Sequence, residues 1–572
     1  MPLPFHFSSK IIMLTLKPVR PEVVAVAASA FLLAAYNVPL WQHLDRIASW
    51  QPALAFILML FGAFSAILTW LAVPRVFKPV LITLFMISAG VAYFMNRYGI
   101  LIDTGMLRNT AETNATEVRD LLSWKLVLYI ALLGLLPSLL LWRTPIDYRP
   151  VLPNLFAKLL MTVGCAVLIV GAGLINYQGL SSMLRNHHEL RLMIVPSNYI
   201  GASINYLREQ WASAQAPFTP IAEDALRVKP ASAQVRKSLT VLVVGESARA
   251  DNFSLLGYPR DTNPELSKQQ GLVAFTDMHS CGTETAVSVP CMFSNLGRAG
   301  YSAAAASNRE GLLDVLKRAG LDVIWRDNQS GCKGTCARVT VENLSNASDS
   351  KLCADHECRD EILLQGLQTM IDNLDQDTVL VLHQMGSHGP EYYKRYPAAF
   401  ERFTPVCKSN ALDQCSRDSI VNAYDNTLLY TDHVLAQLIE TLRSNQDRVD
   451  TAMIYLSDHG ESLGEYNLFL HGTPYMLAPE QQKHVPLLVW LSTSYQRSTG
   501  IDSTCLQGQR DAALSQDNLF HSMLGLLGVQ THAYKANLDL FASCRRSQVA
   551  GSPAGNTVAV SADAAQRSAP GG

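Results

Sequence analysis

The sequence predicts a multi-span α-helical membrane domain followed by a soluble α/β domain. Three observations lead there. Apolar residues crowd into the first 180 positions, short β-rich runs alternate with helical segments after position 238, and ten of the eleven cysteines lie between Cys281 and Cys544. At 572 residues the chain exceeds an ordinary single domain, and 49% hydrophobic against 16% charged residues leans toward a partly membranous protein. A formal net charge of -2 supplies no concentrated basic face, so no nucleic-acid partner is expected.

Five apolar stretches match the thickness of a bilayer: Val23–Trp41, Ala53–Val73, Pro79–Met95, Leu121–Trp142 and Leu155–Tyr177. A cleaved signal peptide at the first is disfavoured, because four spans follow it and no small-residue cleavage site succeeds it. Lys10, Lys17, Arg20, Arg75, Lys78, Arg143, Arg149 and Lys158 flank one side, against Arg46, Arg97, Arg108, Arg119 and Lys125 on the other. The richer side is cytoplasmic, so an odd number of spans delivers everything after Tyr177 outside.

Cysteine usage agrees with that topology. Cys165 sits in the fifth span. The other ten suit short bridges: Cys281 with Cys291, Cys332 with Cys336, Cys353 with Cys358, Cys407 with Cys415, leaving Cys505 with Cys544. A dense cluster in an extracytoplasmic domain favours disulfides over the alternatives, free core cysteines or a zinc knot on Cys332 and Cys336.

Four regions follow in order: a five-helix transmembrane domain over 1–177, amphipathic bridging helices and linker over 178–237, an α/β catalytic domain over 238–546, and a disordered tail over 547–572. Within the first, the polar loop Arg97–Leu121 faces the same side as the soluble domain. It carries Asn109, Thr113 and Glu117 four apart, which would stack on one face if the segment is helical; from spacing alone a solvated helix face is the favoured reading. In the soluble domain, Leu239–Val244, Val323–Arg326, Val379–His383, Met453–Ser457 and Leu487–Leu491 read as strands. Helical stretches such as Asn308–Arg318 and Ala423–Arg443 separate them, giving a largely parallel sheet whose site lies beyond the C-terminal strand ends.

Those ends are polar in one way. One strand runs into Glu246, another from His383 towards His388, another into Asp458 and His459. Their convergence supplies the O and N donors that hold Zn²⁺, although each residue taken singly suits a helix cap. Between them lies Cys281-Gly282-Thr283-Glu284-Thr285-Ala286-Val287-Ser288-Val289-Pro290-Cys291, a hydroxyl-rich turn that a bridge would hold rigid.

Gly245-Glu246-Ser247-Ala248-Arg249, the segment Cys281–Ser294, Gly386-Ser387-His388-Gly389-Pro390 and Ser457-Asp458-His459-Gly460-Glu461-Ser462-Leu463-Gly464-Glu465 together resemble the lipid A phosphoethanolamine transferases, the group that includes the mobile colistin-resistance enzymes. The resemblance covers nearly the whole chain. It implies an alkaline-phosphatase-like α/β fold, zinc held by Glu246, Thr285, Asp458 and His459, and Thr285 as nucleophile. It puts His388 and His471 around a second metal or the incoming phosphate and makes them candidate general acids, and it leaves open a second zinc ion during turnover. Asn328 and Lys333 contact phosphoethanolamine, and Asn109, Thr113 and Glu117 recognise the headgroup. Thr at the nucleophile position, in place of the Cys that sulfatases convert to formylglycine, argues against sulfatase activity.

The expected reaction takes phosphoethanolamine from phosphatidylethanolamine to lipid A, in a monomer spanning the bacterial inner membrane among its lipids, with the catalytic domain in the periplasm. Alternatives left open are another acceptor such as a core sugar or glucan, phosphoglycerol transfer, and a silent zinc-binding membrane sensor.

Overall fold

The computed structural model describes residues 17–546, except 114–117, 120, 229–235, 346, 348, 350 and 355–356. Lys10, Glu117, the Pro230–Ala233 stretch and the 547–572 tail therefore lie outside the described residues.

The first expected span is not a single helix. α1 (Pro21–Tyr36) and α2 (Val38–Ile47) meet at 70°, so the Val23–Trp41 stretch is broken at Asn37. Pro39 has no N–H for the carbonyl four residues back, which ends the ladder there. Asn37 fills the break: its Nδ2 donates to Leu32 O and Val195 O, both at 2.9 Å, and its Oδ1 accepts from Val195 N at 2.8 Å. Among the described residues, α3 (Trp50–Leu71), α4 (Phe77–Tyr98), a helix over Trp124–Arg143 and one over Val151–Ile175 are long and apolar enough to cross a membrane, and the bent pair counted as one span makes five.

Between α4 and the next span lies α5 (Thr104–Glu112), started by Asp103, whose carboxylate accepts from Met106 N. α6 (Trp124–Arg143) contains a π-helical stretch, Ile130–Leu135, just ahead of Pro137. Pro137 cannot donate to Leu133 O, and the Tyr36 hydroxyl donates to that carbonyl instead. α7 (Val151–Ile175) packs along α3 and turns Val163, Val167, Val170 and Leu174 outward, as a lipid-facing helix does. α8 (Tyr177–Asn186) and α9 (Ser197–Gln215) then lead to the soluble half.

Among the described residues, seven strands form its central sheet: β1 (Ser238–Gly245), β2 (Leu272–Phe275), β3 (Asp322–Asp327), β4 (Thr340–Asn343), β5 (Thr378–His383), β6 (Asp450–Ser457) and β7 (Leu487–Leu491). Their order is β2-β7-β6-β1-β5-β3-β4; β7 runs antiparallel to both its neighbours and the other pairings are parallel. β1, β5 and β6 are buried on both faces, which is why they read as unbroken Val/Leu/Ile runs. One face packs against α10 (Thr285–Met292) and a helix near the C-terminus, the other against α11 (Arg417–Ser444). β2 and β4 escaped the sequence reading: each is four residues long, and Thr340–Asn343 is a polar edge without alternation.

Five disulfides tie this half, in the pairs that local spacing suggested: Cys281–Cys291, Cys332–Cys336, Cys353–Cys358, Cys407–Cys415 and Cys505–Cys544. Cys165 is a free, buried cysteine of α7.

Candidate metal and nucleophile site

The site is assembled by strand register. β1 and β6 pair in parallel with Gly245 opposite Ser457, so the next residue of each strand, Glu246 and Asp458, emerges side by side. β5 pairs with β1 on the other side, Val244 opposite His383. All three carboxylate and imidazole side chains of Glu246, Asp458 and His459 are fully buried, and one ligand atom of each lies within 4.8 Å of the others. His459 Nε2 stands 3.4 Å from Glu246 Oε1 and 3.4 Å from Asp458 Oδ2. His459 Nδ1 is 2.8 Å from Gly460 O, a contact that fixes the tautomer and leaves Nε2 as a donor for a metal.

Thr285 opens α10, which the Cys281–Cys291 bridge braces. Its hydroxyl donates to Glu246 Oε2 at 3.0 Å and lies 3.3 Å from His459 Nε2. The turn around Glu246 is held in unusual backbone. Ser247 has φ of 56° and donates its hydroxyl to Glu246 Oε1 at 2.7 Å; Gly386 has φ of 52°, and a Cβ there would meet Glu246 O at 2.6 Å.

The donor set fits a zinc ion. Asp458 Oδ2 is buried without a hydrogen-bond partner among the described residues, and burial together with the adjacent Glu246 carboxylate pushes the Asp458 carboxyl up to about 6. Two carboxylates forced together out of water need a cation between them, and one imidazole, two carboxylates and a hydroxyl are ligands that Zn²⁺ accepts.

The histidines expected nearby are present. His471 sits 4.4 Å, ring to ring, from His459 and 5.8 Å from His388. A two-residue hairpin sets its partner: Ser462 pairs with Leu470, so Glu461 and His471 fall side by side, Nδ1 to Oε2 at 2.8 Å. Burial alone would lower the His471 imidazole, but Glu461 and then Glu246 hold it up to about 9. Tyr392 donates to the other Glu461 oxygen at 2.6 Å. His388 Nδ1 is buried and unpartnered among the described residues. Lys333, at φ of 50°, is nearly buried, with Nζ 3.0 Å from Ser330 Oγ and 3.9 Å from Glu112 Oε2 on α5.

Asn328 has its Oδ1 buried without a hydrogen-bond partner among the described residues. Its Nδ2 donates to Cys358 O at 2.9 Å and Asp360 Oδ1 at 2.8 Å, bracing the loop, while the next residue, Gln329, donates to Glu246 Oε2 at 2.8 Å. Sequence reasoning stopped one residue short of Gln329. It also assigned nothing to Glu461, His383 or Glu284. His383 Nδ1 is paired with Asp327 at 2.7 Å behind the site, and Glu461 was legible only as the fourth letter of Asp-His-Gly-Glu.

Asn109 and Thr113 are half-buried on and just after α5, with the Thr113 hydroxyl donating to Asn109 O at 2.7 Å. α5 packs on α10 and α9. Burial and the Asp103 carboxylate beneath α5 push the Glu284 carboxyl up to about 8. Phe469 and Leu470 pack against Tyr93, Tyr98 and Leu126 of the membrane helices.

Comparison with known proteins agrees with this layout. Residues 60–211 match the family model described as phosphoethanolamine transferase EptA/EptB, and residues 238–529 match the Sulfatase model. Phosphoethanolamine transferase EptA of Salmonella typhimurium is 41% identical, over 93% of this chain and 98% of that protein. Phosphatidylethanolamine transferase Mcr-1 of Escherichia coli is 38% identical, over 91% and 97%. Among solved structures, the integral membrane lipooligosaccharide phosphoethanolamine transferase A (EptA) from Neisseria meningitidis superposes with a TM-score of 0.89 at 34% identity, covering 92% of this chain and all of that one. Similarity of this depth across membrane helices, bridging segment and sheet together makes the chain a member of the phosphoethanolamine transferase family.

Proposed function

We propose that this enzyme moves phosphoethanolamine from phosphatidylethanolamine to a phosphate of lipid A at the outer face of the bacterial inner membrane, through an ester on Thr285. The observation that carries the reading is the hydroxyl of Thr285 within hydrogen-bonding distance of both Glu246 and His459, beside an orphaned Asp458 oxygen. The acceptor class is suggested by relatives such as the Kdo(2)-lipid A phosphoethanolamine 7''-transferase of Escherichia coli, 26% identical over 77% of this chain and 80% of that protein.

Glu246, Thr285, Asp458 and His459 would hold zinc, which when bound lowers the proton affinity of a ligated hydroxyl and neutralises phosphoryl charge. Thr285 Oγ1 then forms a bond to phosphorus as the bond to the diacylglycerol oxygen breaks. That oxygen leaves with a proton from His471 or His388, whose rings border the site. Lys333 balances charge on the phosphoryl oxygens. In the second half an oxygen of the lipid A phosphate attacks the same phosphorus and Thr285 is released. The added ammonium offsets acceptor charge, weakening attraction of cationic peptides such as polymyxin and colistin.

Segments 1–177, 178–237 and 238–546 act as anchor, bridge and catalyst in this scheme. Mass spectrometry of lipid A from cells expressing the protein tests it: a phosphoethanolamine increment is expected, and an unmodified lipid A with a modified core sugar or glucan overturns the acceptor.

A further inference from the structure

Glu284 directly precedes the nucleophile, yet nothing in the scheme above uses it. Only 4% of it is exposed, and its Oε2 has no hydrogen-bond partner among the described residues. A buried carboxyl oxygen without a hydrogen-bond partner is costly, and a cation beside it would favour its ionised form, so its retention calls for a ligand. The other oxygen, Oε1, presses on α5. A Cβ on Gly105 would lie 2.5 Å from it, so a larger residue at this helix position would push the carboxylate aside. On the remaining side Oε2 faces the turn after His471, 3.5 Å from where a Gly472 Cβ would stand. Gly472 N donates to Thr283 O at 2.8 Å and Thr283 Oγ1 to Thr473 O at 2.7 Å, which ties that turn to the nucleophile segment. Asp103 and Glu112 bring negative charge near it from α5, and His471 and Arg108 bring positive charge.

A carboxylate pocket beside Thr285, between the nucleophile and the helix nearest the membrane, matches a small cation attached to the group being transferred. We infer that Glu284 binds the primary ammonium of the ethanolamine headgroup while the phosphorus is at Thr285. Only two carbons separate phosphate and nitrogen, so a phosphorus held at Thr285 calls for a cation site close by, and Glu284 is its chain neighbour at the helix N-cap. A primary ammonium has three N–H donors for Glu284 and the acids around it, whereas a trimethylated nitrogen has none. The inference rests on the proposed transfer of phosphoethanolamine.

The test uses full-length protein in vesicles of phosphatidylethanolamine or its N-trimethylated counterpart, and Glu284→Gln, which keeps the shape and removes the charge. The KM for phosphatidylethanolamine is expected to rise at least tenfold in E284Q. Cleavage of a small phosphoester lacking an ammonium should fall less than threefold, and thermal unfolding should match the wild type. Gly105→Ala, which displaces the carboxylate without altering it, should raise the same KM. If wild-type protein consumes phosphatidylethanolamine but E284Q leaves its KM where it was, or lowers both activities equally, Glu284 is not the ammonium site. Wild-type protein that consumes none overturns the proposed function together with this residue.

Discussion

Gln329 shows how much depends on one side chain here. Its amide donates to the same Glu246 oxygen that accepts from Thr285, so it orients the carboxylate proposed to hold zinc. Removing such outer partners costs about 10- to 100-fold in metal affinity or activity. Gln329→Ala is therefore expected to lower zinc occupancy, measured by elemental analysis, while Asn328→Ala is expected to act on loop stability instead. Thr285→Ala should abolish lipid A modification, a loss beyond about a thousandfold, with insertion and folding intact; normal modification in that variant would remove Thr285 as nucleophile. Asp458→Ala with His459→Ala should leave protein without stoichiometric zinc. Glu246, Asp458 and His459 were legible in the sequence because strand ends followed by acid and imidazole repeat along the chain. Gln329 and Glu284 were not, because their roles come from what the loop and α5 bring opposite them, and a sequence does not state that partner.

Among elements, α12 (Asp517–Leu526) carries a pH dependence unconnected with zinc. His521 is 2% exposed, and its Nδ1 accepts from Lys535 N at 3.2 Å, which a protonated nitrogen cannot do. Burial, helped by Lys535, lowers its pKa from 6.5 to about 4. The unfolded chain then binds a proton the folded chain refuses between those values. The stability His521 supplies is complete above pH 6.5 and is lost as pH falls towards 4, up to about 3 kcal/mol. Urea titrations of wild type and His521→Asn across that window should converge at pH 4. The disulfides differ by loop length: Cys505–Cys544 closes 39 residues of separation and Cys332–Cys336 only 4. Losing the first should cost about 4 kcal/mol and the second about 2 in the chain-entropy account, so Cys505→Ser with Cys544→Ser should show the larger fall in Tm. Element existence was readable for the buried strands and α11. The bend at Asn37 was not, since its cause includes Val195, 158 residues away.

At the scale of the whole molecule, the catalytic half is seated on the membrane half by specific contacts. Leu468 packs where a Gly99 Cβ would lie, 2.8 Å from its Cδ2, and Asn410 donates to Leu122 O at 3.0 Å. Phe469 and Leu470, which rest on Tyr93 and Tyr98, immediately precede His471. Protein beginning near Ser238 is therefore expected to bind zinc yet transfer poorly between lipids, and Phe469→Ala in the full chain should reduce lipid transfer more than cleavage of a soluble phosphoester. Equal effects on both would make the seating irrelevant to catalysis.

That seating changes the dimensionality of the reaction. With Thr285 held at one height over the bilayer, the proposed donor and acceptor would reach it by lateral diffusion within a leaflet, as a search on a plane. Turnover should then follow the mole fraction of phosphatidylethanolamine in the vesicle. Diluting the vesicles in buffer at fixed composition should leave the rate per enzyme nearly constant, whereas diluting the donor with an inert lipid inside the bilayer should slow it in proportion.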